Sequence, residues 1–522
     1  MPTTLEIKLP PAELHDPEAL RRAVSRKGIS EQRIGEVIVD RRSIDARGSH
    51  PVYRLRVEVR SAEEGPAPEA PPTLSLRDVS DAPPVVVVGC GPAGMFAALE
   101  LIELGLRPIL LERGRDVRSR RRSLRAIQQF GEVDPDSNYC FGEGGAGTYS
   151  DGKLYTRSLK RGNYLKALRT LVDHGAQADI LIDAHPHIGS NKLPQVVANM
   201  RETILAHGGE IRFGHRLTDL EYDQDLRALL VTDDFGSTYR LVAEAYILAT
   251  GHSARDVYHL LDRHGIRLEA KPFALGVRIE HPQSLIDRIQ YGQSEREENL
   301  PASSYKLVTQ VKERGVFSFC MCPGGLVVPA ATAPGEIVVN GMSLSRRDSP
   351  YANSGTVVAV EVEDLAPYAA AGVFAGLAFQ EAVERAMFAS GDGTQQAPAQ
   401  RLPDFVAGKI SRDLPASSYI PGLHTAPLHD LLPAGIYDRL RQGVQDFGRK
   451  MRGYFTAEAN VIGVESRTSS PVRIPRDRHS YQHPEAASLY PCGEGAGFAG
   501  GILSAAMDGQ NVARAVAAKV KG

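Results

Sequence analysis

The sequence predicts an α/β fold, and three observations predict it. The apolar, β-branched run Val85–Val88 leads into a glycine turn, an amphipathic helix and a second apolar strand, which together form a βαβ unit. A proline-rich linker at 63–82 separates this unit from a small N-terminal region. A second glycine-rich turn and helix appear within 471–522. At 522 residues the chain fits two or three domains, and we expect three.

The composition is that of a packed, enzyme-like body. Apolar residues make up 42% and charged residues 24%, so the chain can bury a sizeable core. Lys and Arg number 61 against 63 Asp and Glu, and the formal charge of -2 gives no global attraction to nucleic acid or to an anionic membrane. A partner of either kind would need a local basic patch.

The N-terminus and the cysteines indicate a cytoplasmic protein with reduced thiols. The first residues show no basic segment followed by an apolar one, and no stretch approaches the run of about twenty apolar residues that spans a bilayer. The cysteines are sparse and odd in number, without paired CxxC blocks, which argues against a disulfide framework and a structural metal site. They are Cys90, Cys140, Cys320, Cys322 and Cys492.

Residues 1–62 predict a small α+β domain. Alternating apolar residues at 5–9 predict a strand, and Asp16-Pro17 followed by Gly28 brackets a short helix. Two further strands follow, and the second of these has one polar face.

The rest of the chain predicts one discontinuous domain and one inserted domain. We expect its parallel-sheet domain to comprise 83–272 and 471–522. The stretch 273–470 contains no nucleotide-binding turn, and we interpret it as an α+β domain on the substrate side. Further strands are predicted at 210–213, 219–222, 228–232, 239–242 and 245–250.

Gly89, Gly91 and Gly94 form a G-x-G-x-x-G turn directly after the first strand of the βαβ unit. Gly89 permits the tight turn, Gly91 lets the backbone approach a pyrophosphate, and Gly94 lets the helix pack close to the strand. Glu112 ends the second strand, where a carboxylate can accept hydrogen bonds from ribose hydroxyls. A glycine turn also occurs for packing alone, but here strand, turn, helix, second strand and acid agree. The unit therefore predicts dinucleotide binding by a Rossmann-type domain.

The segment GCGPAGMFAALEL, with LLERG, resembles the glutathione-reductase-like FAD proteins. Segments 142–154, 247–252 and 489–513 are similar to other flavin contacts of that superfamily. With FSFCMCPGG and GVESRTSSPVRIPRD, they resemble more closely an uncharacterised bacterial family of FAD-dependent dehydrogenases that carries a small N-terminal domain. The resemblance covers most of residues 83–522, and it implies a cofactor and a fold but no substrate.

The resemblance implies non-covalent FAD in a discontinuous Rossmann-type domain. In the closing motif, Glu494 takes the position of the acid that meets the ribityl chain. The predicted cofactor contacts are Gly89, Gly91, Pro92, Ala93, Gly94, Glu112, Arg113, Gly145, Ala146, Gly147, Lys153, Ala249, Thr250, Gly251, Gly493, Glu494, Gly500, Gly501 and Ile502.

One departure from the superfamily concerns a second nucleotide. Its two-nucleotide reductases carry a second GxGxxG for NAD(P)H and a close cysteine pair after the first acidic strand, and this chain has neither. Because Cys140 stands alone there, disulfide reductase activity is disfavoured. We expect NAD(P)H, if it acts, to be a transient donor that visits the substrate pocket.

The candidate catalytic residues are Cys322, Cys320 and Arg467. The two thiols could act beside a flavin as acid, nucleophile or redox partner, but we favour two buried thiols on one face of a strand. Arg467, in the polar loop ESRTSSPVRIPRD, could bind a substrate carboxylate or phosphate, or the loop could simply be solvated. Lys153 could steady negative charge on a flavin, or it could be an ordinary exposed lysine.

The leading functional hypothesis is a FAD-dependent oxidoreductase that acts on an unidentified small molecule. A dense arginine run from Arg113 to Arg125 usually indicates a solvated face, but it leaves an anionic partner such as nucleic acid open. The alternatives are therefore a flavin-bearing RNA- or protein-binding assembly factor and flavin-dependent tRNA modification.

Overall fold

The computed structural model describes residues 2–64, 73–155 and 162–522. The N-terminal domain consists of β1 (Thr3–Leu9), α1 (Pro17–Ser25), β2 (Ile34–Asp45) and β3 (Val52–Ser61). Its antiparallel sheet has the order β1-β3-β2. The predicted helix is confirmed, because Asp16 caps α1 by accepting the Glu18 N–H at 2.9 Å. Part of the predicted linker, residues 65–72, lies outside the described residues.

The next part of the chain builds the parallel sheet and a small antiparallel sheet beside it. Its elements are β4 (Pro84–Val88), α2 (Pro92–Glu103), β5 (Arg107–Glu112), α3 (Val117–Phe130), α4 (Tyr164–Asp173), α5 (Leu193–Ala206), β6 (Glu210–Phe213), β7 (His215–Asp223), β8 (Asp225–Asp233), β9 (Thr238–Leu241), β10 (Ala245–Leu248) and α6 (Arg255–Arg263). The strands predicted between residues 210 and 250 are confirmed, and β7-β8-β9 form the antiparallel sheet.

The inserted region, called the cap here, spans residues 269–473. Its elements are β11 (Glu269–Ala270), β12 (Phe273–Pro282), α7 (Gln283–Tyr291), β13 (Val308–Val311), β14 (Arg314–Cys322), β15 (Gly325–Pro329), β16 (Val339–Ser343), β17 (Tyr351–Val360), α8 (Ala375–Ala389), β18 (Ala397–Arg401), α9 (Leu402–Ala407), β19 (Leu423–Thr425), α10 (Leu428–Leu431), α11 (Ala434–Lys450), β20 (Asn460–Glu465) and β21 (Val472–Arg473). Its main sheet has the order β13-β14-β17-β12-β20-β18-β19. Apolar residues of α8, α9 and α11 pack with this sheet in one buried core.

The chain then returns to the parallel sheet with β22 (Leu489–Pro491) and α12 (Ile502–Val520). The order of that sheet is β22-β10-β4-β5-β6, and its neighbouring strands are parallel. Helix α12 packs directly on α2, because Gly509 carries no side chain: a Cβ there would lie 2.1 Å from Ala93 O. The parallel sheet is thus assembled from segments on both sides of the cap.

One segment, Val362–Ala389, is by length and composition alone apolar enough to cross a membrane, contrary to the sequence expectation. In the structure it is a 3-10 segment followed by α8, with a break at Gly372, where φ is 57°. The side chains of Phe379, Val383 and Met387 on α8 are buried in the cap core.

The N-terminal domain contacts both other domains. Arg42 forms ion pairs with Asp183 at 2.7 Å and with Asp179 at 2.8 Å, in the loop before α5. On the cap side, the Tyr53 hydroxyl donates to the Asn299 carbonyl at 2.6 Å.

Candidate functional site

A cavity of about 330 Å³ lies at the carboxyl ends of β4, β5 and β10. In the parallel sheet, β5 lies on one side of β4, and β10, which comes later in the chain, lies on the other side. This reversal of strand order is the switch point at which open α/β sheets bind ligands. Gly94 and Gly493 of the predicted contacts are not among the lining residues. The predicted contacts that line the cavity are Gly89, Gly91, Pro92, Ala93, Glu112, Arg113, Gly145, Ala146, Gly147, Lys153, Ala249, Thr250, Gly251, Glu494, Gly500, Gly501 and Ile502.

The glycines of the turn after β4 serve two different purposes. Gly89 has a φ of 105°, and a Cβ there would lie 2.4 Å from Ala249 O. A Cβ on Gly94 would lie 2.0 Å from Gly89 O, so α2 could not pack this close. At Gly91, φ is -81° and the nearest atom to a Cβ would be the Gly145 Cα, at 3.8 Å. Packing therefore requires Gly89 and Gly94, whereas Gly91 leaves space for an occupant of the cavity.

The glycines ahead of α12 leave similar space. A Cβ on Gly500 or Gly501 would meet nothing within 4 Å. The first N–H groups of a helix have no partner within it and carry partial positive charge, so the N-termini of α2 and α12 both favour an anionic or polar group here. Glu494 lies on the same wall, and its carboxylate is 3.8 Å from Nδ1 of His252.

Glu112 holds three turns together. Its buried carboxylate accepts the N–H groups of Cys90 at 3.0 Å, Gly114 at 2.8 Å and Gly142 at 2.9 Å. These bonds fix the glycine turn and the loop after β5 relative to each other. The sequence did not reveal them, because Gly142 lies in a separate loop. A bond from Glu112 to a ribose hydroxyl stays a prediction.

The arginine run divides into structural and exposed members. Arg113 lines the cavity, and its guanidinium donates to Asp136 at 2.9 Å and to Asp256 at 3.0 Å. Arg120 is fully buried and donates to three main-chain carbonyls. The exposed members are Arg115, Arg118, Arg121, Arg122 and Arg125. The expected solvated face is therefore confirmed for these five, and an anionic partner stays a prediction.

Lys153 belongs to an ionic cluster between the glycine-rich loop and the cap. Its ammonium donates to the Met321 carbonyl and lies 3.8 Å from the Asp151 carboxylate. Asp151 is buried and accepts hydrogen bonds from the Arg347 guanidinium. Burial alone would raise the pKa of Asp151, but Lys153 and Arg347 outweigh it and lower that pKa.

A β-bulge separates the two candidate thiols. The register of β14 on β17 shifts between Phe319 and Cys322, and Cys320 has a φ of 44°. Cys322 is buried, and its Sγ donates to the Cys320 carbonyl at 3.2 Å. The expectation of two buried thiols on one face is therefore wrong for Cys320, which is exposed to the cavity. Burial raises the pKa of the Cys322 thiol to about 11.

Arg467 lines the cavity, but its guanidinium is already engaged by the protein. It donates to Glu384 at 3.0 Å and 2.9 Å, to Glu336 at 2.7 Å and to Thr332 at 2.6 Å. The interpretation of this segment as a solvated loop is wrong, because Arg467 and Ser466, which follow directly after β20, are both buried. The two carboxylates compensate the Arg467 charge, which leaves little of it for a substrate anion.

Arg278, to which no sequence motif pointed, lies beside the thiols. This fully buried residue of β12 donates to Glu465 at 2.7 Å, to Asn353 at 2.6 Å and to the Cys320 carbonyl at 3.4 Å. Burial opposes its charge, but Glu465 raises its pKa above the usual value. The available signal was an arginine within the apolar run FALGVRIEHP, but its partner Glu465 lies on β20, far along the chain.

A second cavity of about 870 Å³ adjoins the first. Four residues line both cavities, namely Lys153, Cys320, Gly500 and Gly501. The second cavity lies between the cap and the parallel-sheet domain and is lined by residues of both.

Comparisons with known proteins match two parts of the chain and most of its length. A model described as FAD-dependent protein, C-terminal domain-like, matches residues 272–468, and a domain of unknown function matches residues 1–60. An uncharacterized protein from Clostridium beijerinckii is 43% identical over 439 residues, which covers 83% of this chain and 80% of that protein.

Similar solved structures are more distant. A flavoprotein/dehydrogenase from Cytophaga hutchinsonii is 10% identical with a TM-score of 0.37, and the match covers 84% of this chain and 79% of that one. A geranylgeranyl bacteriochlorophyll reductase-like protein from Thermoplasma acidophilum is 11% identical with a TM-score of 0.38, at the same coverages of 84% and 79%. The Clostridium beijerinckii match and the match of the cap to the C-terminal domain model together show that the chain belongs to the family of FAD-dependent proteins that carries this domain.

Proposed function

We propose that this protein is a FAD-dependent oxidoreductase of the glutathione-reductase-like superfamily, with its small-molecule substrate entering through the second cavity. The observation that carries the proposal is the empty space beside two glycines of the first cavity. A Cβ at Gly91 or Gly500 would meet no close contact from the protein. Packing therefore does not explain why these two positions carry no side chain. The family's FAD-dependent description supports FAD as the occupant.

The residues of the first cavity fit this cofactor. The N-terminus of α2, with Gly91, would hold the pyrophosphate, and Glu112 has lone pairs left for a ribose hydroxyl after its three backbone bonds. Gly500 and Gly501, ahead of α12, would face the flavin. When bound, FAD supplies hydride or electron transfer to or from a substrate.

The protein's own contribution is to orient the reactants and exclude water. The Arg467 network and the Arg278–Glu465 pair fix the cap residues that line the first cavity. Cys320 borders both cavities, and its thiol is placed to donate a hydrogen bond toward the space where they meet.

The colour of the purified protein tests the cofactor. We expect a yellow protein that releases FAD, and not FMN, on heating, because the β4 turn and Glu112 serve an adenosine half. A colourless protein that cannot be reconstituted with added FAD would contradict the assignment.

A pair of glycine variants tests the site more sharply. Gly91→Ala adds a methyl group that the chain tolerates but the cofactor does not, so we expect FAD to bind roughly 10- to 100-fold more weakly while the apo-protein's melting temperature is unchanged. Gly94→Ala should instead lower that melting temperature, because its Cβ would lie 2.0 Å from Gly89 O. Gly48→Ala, at an exposed glycine outside the site, is the control. Equal FAD affinity in Gly91→Ala and Gly48→Ala would argue against this cavity as the site.

A further inference from the structure

The second cavity carries an excess of positive charge. Lys153, Lys306 and Arg347 line it, against Asp508 as its lining carboxylate among the described residues. Arg476 already neutralises Asp508, with guanidinium hydrogen bonds of 2.9 Å and 2.6 Å.

The charge of this wall is only partly compensated from outside the cavity. The buried Asp151 serves both Lys153 and Arg347, so one carboxylate meets two cations. Lys306 is exposed, and in the described parts of the chain no carboxylate lies within ion-pair distance of it. The imidazole of His185 lies on the same wall. Burial lowers its pKa, and the positive charges of Arg347 and Arg41 lower it further.

The remaining walls of the second cavity are largely apolar and aromatic. Tyr155 is 55% exposed, and its ring meets His185 edge-on at 5.1 Å. Phe498, Met321 and Met507 also line the cavity. An occupant is therefore offered both apolar contact and cationic groups.

From this juxtaposition we propose that the second cavity is the substrate site and that it takes an organic anion with an apolar or aromatic body. The anionic group meets Lys306 and the Lys153–Arg347 side, and the body lies against Tyr155 and Phe498. Gly500 and Gly501 border both cavities, so such a molecule reaches the cofactor site at the N-terminus of α12, whose partial positive charge also favours an anion. The proposal rests on the proposed function for the role of substrate, but the binding preference can be measured without turnover.

The test is equilibrium binding of matched probes to the FAD-loaded protein. We expect 2-naphthoate to bind about 10-fold more tightly than the neutral 2-naphthalenemethanol, by calorimetry, and to shift the visible spectrum of the bound flavin. Lys306→Gln should weaken 2-naphthoate binding about 5-fold and leave the alcohol unchanged, since an exposed charge contributes modestly. The matched control is Lys312→Gln, at an exposed lysine between β13 and β14 that lines neither cavity.

The possible failures are distinguishable. Equal binding of acid and alcohol, or an unchanged affinity for 2-naphthoate in Lys306→Gln, would overturn the anion proposal even if the protein is yellow. A protein that cannot be loaded with FAD would overturn the proposed function, and the calorimetric comparison of acid and alcohol would then be made on the protein without flavin, where it still measures the anion preference. A parallel titration with 2-naphthyl phosphate at about pH 5, where both probes carry close to one negative charge, separates the two anion types: tighter binding than 2-naphthoate identifies a phosphate ester, and weaker binding identifies a carboxylate.

Discussion

His281 is a histidine that the fold keeps uncharged. It is fully buried on β12, where Nε2 lies 2.8 Å from the Tyr454 carbonyl, and burial lowers its pKa to about 4. The unfolded chain, with an ordinary pKa near 6.5, binds a proton in this window that the folded chain does not bind. The free energy of unfolding should therefore fall as the pH falls from 6.5 to 4, and this group should account for roughly 3 kcal/mol of that loss.

Urea unfolding at several pH values checks this prediction. His281→Gln keeps a side-chain N–H donor for the Tyr454 carbonyl but does not titrate, so its stability should depend less steeply on pH than that of the wild type. Identical slopes for the two proteins between pH 6.5 and 4 would show that His281 does not titrate as expected.

At the scale of the element, Arg278 and Glu465 join β12 to β20. Their guanidinium and carboxylate are both almost fully buried and 2.7 Å apart. Arg278→Met would leave the Glu465 carboxylate buried without its cation, so we expect a loss of roughly 3–5 kcal/mol of unfolding free energy. The double variant Arg278→Met/Glu465→Leu should recover much of this loss.

The exposed pair Arg240–Glu221, between β9 and β7, is the matched control. Arg240→Met should cost less than about 1 kcal/mol in the same urea titration, because solvent screens this pair. A loss in Arg278→Met as small as that in Arg240→Met would mean that the buried pair does not hold the two strands together.

Elements with local signals were predictable from the sequence, whereas the cap sheet was not. Strand β6 and the helix capped by Asp16 were predicted because alternation, caps and breakers lie within a few residues of each other. The bulge at Cys320 depends on its pairing with β17, which follows later in the chain. A period-2 pattern cannot reveal a register shift that a distant strand imposes, so the two thiols were placed on one face.

At the scale of the whole molecule, the topology of the cap bears on the electron donor. In the described residues of the cap, its main sheet is antiparallel except for the short pair β18 and β19. The helix between these two strands, α9, spans only Leu402–Ala407 and does not follow a G-x-G-x-x-G turn. A dedicated NAD(P)H domain needs such a turn to place a pyrophosphate at a helix N-terminus.

Stopped-flow reduction of the bound FAD tests the consequence. We expect NADH and NADPH to reduce it slowly and without saturation, since each would visit the substrate cavity only transiently. Saturation at low micromolar concentrations of either would contradict this expectation and indicate a binding site that the fold does not suggest.

The candidate site was predictable where a motif encodes the backbone, and not where side chains from distant elements meet. The turn at Gly89–Gly94 could be located because residues adjacent in sequence determine its conformation. The burial of Arg467 could not be predicted, because its partners Glu336 and Glu384 come from elsewhere in the cap. The second cavity exists only through the packing of two domains, so no single segment could have indicated it.

The division of the parallel sheet between the two sides of the cap sets an order of events during biosynthesis. The ribosome delivers β22 and α12 only after the whole cap, so β10 stays for a long time without its outer neighbour in the sheet. The N-terminal domain has its sheet partners close in sequence and is able to fold as soon as it emerges. Because Gly500, Gly501 and Ile502 complete the first cavity, we expect cofactor capture to be a late step of maturation, and a cell short of FAD to accumulate chains whose translation is complete but whose assembly is not.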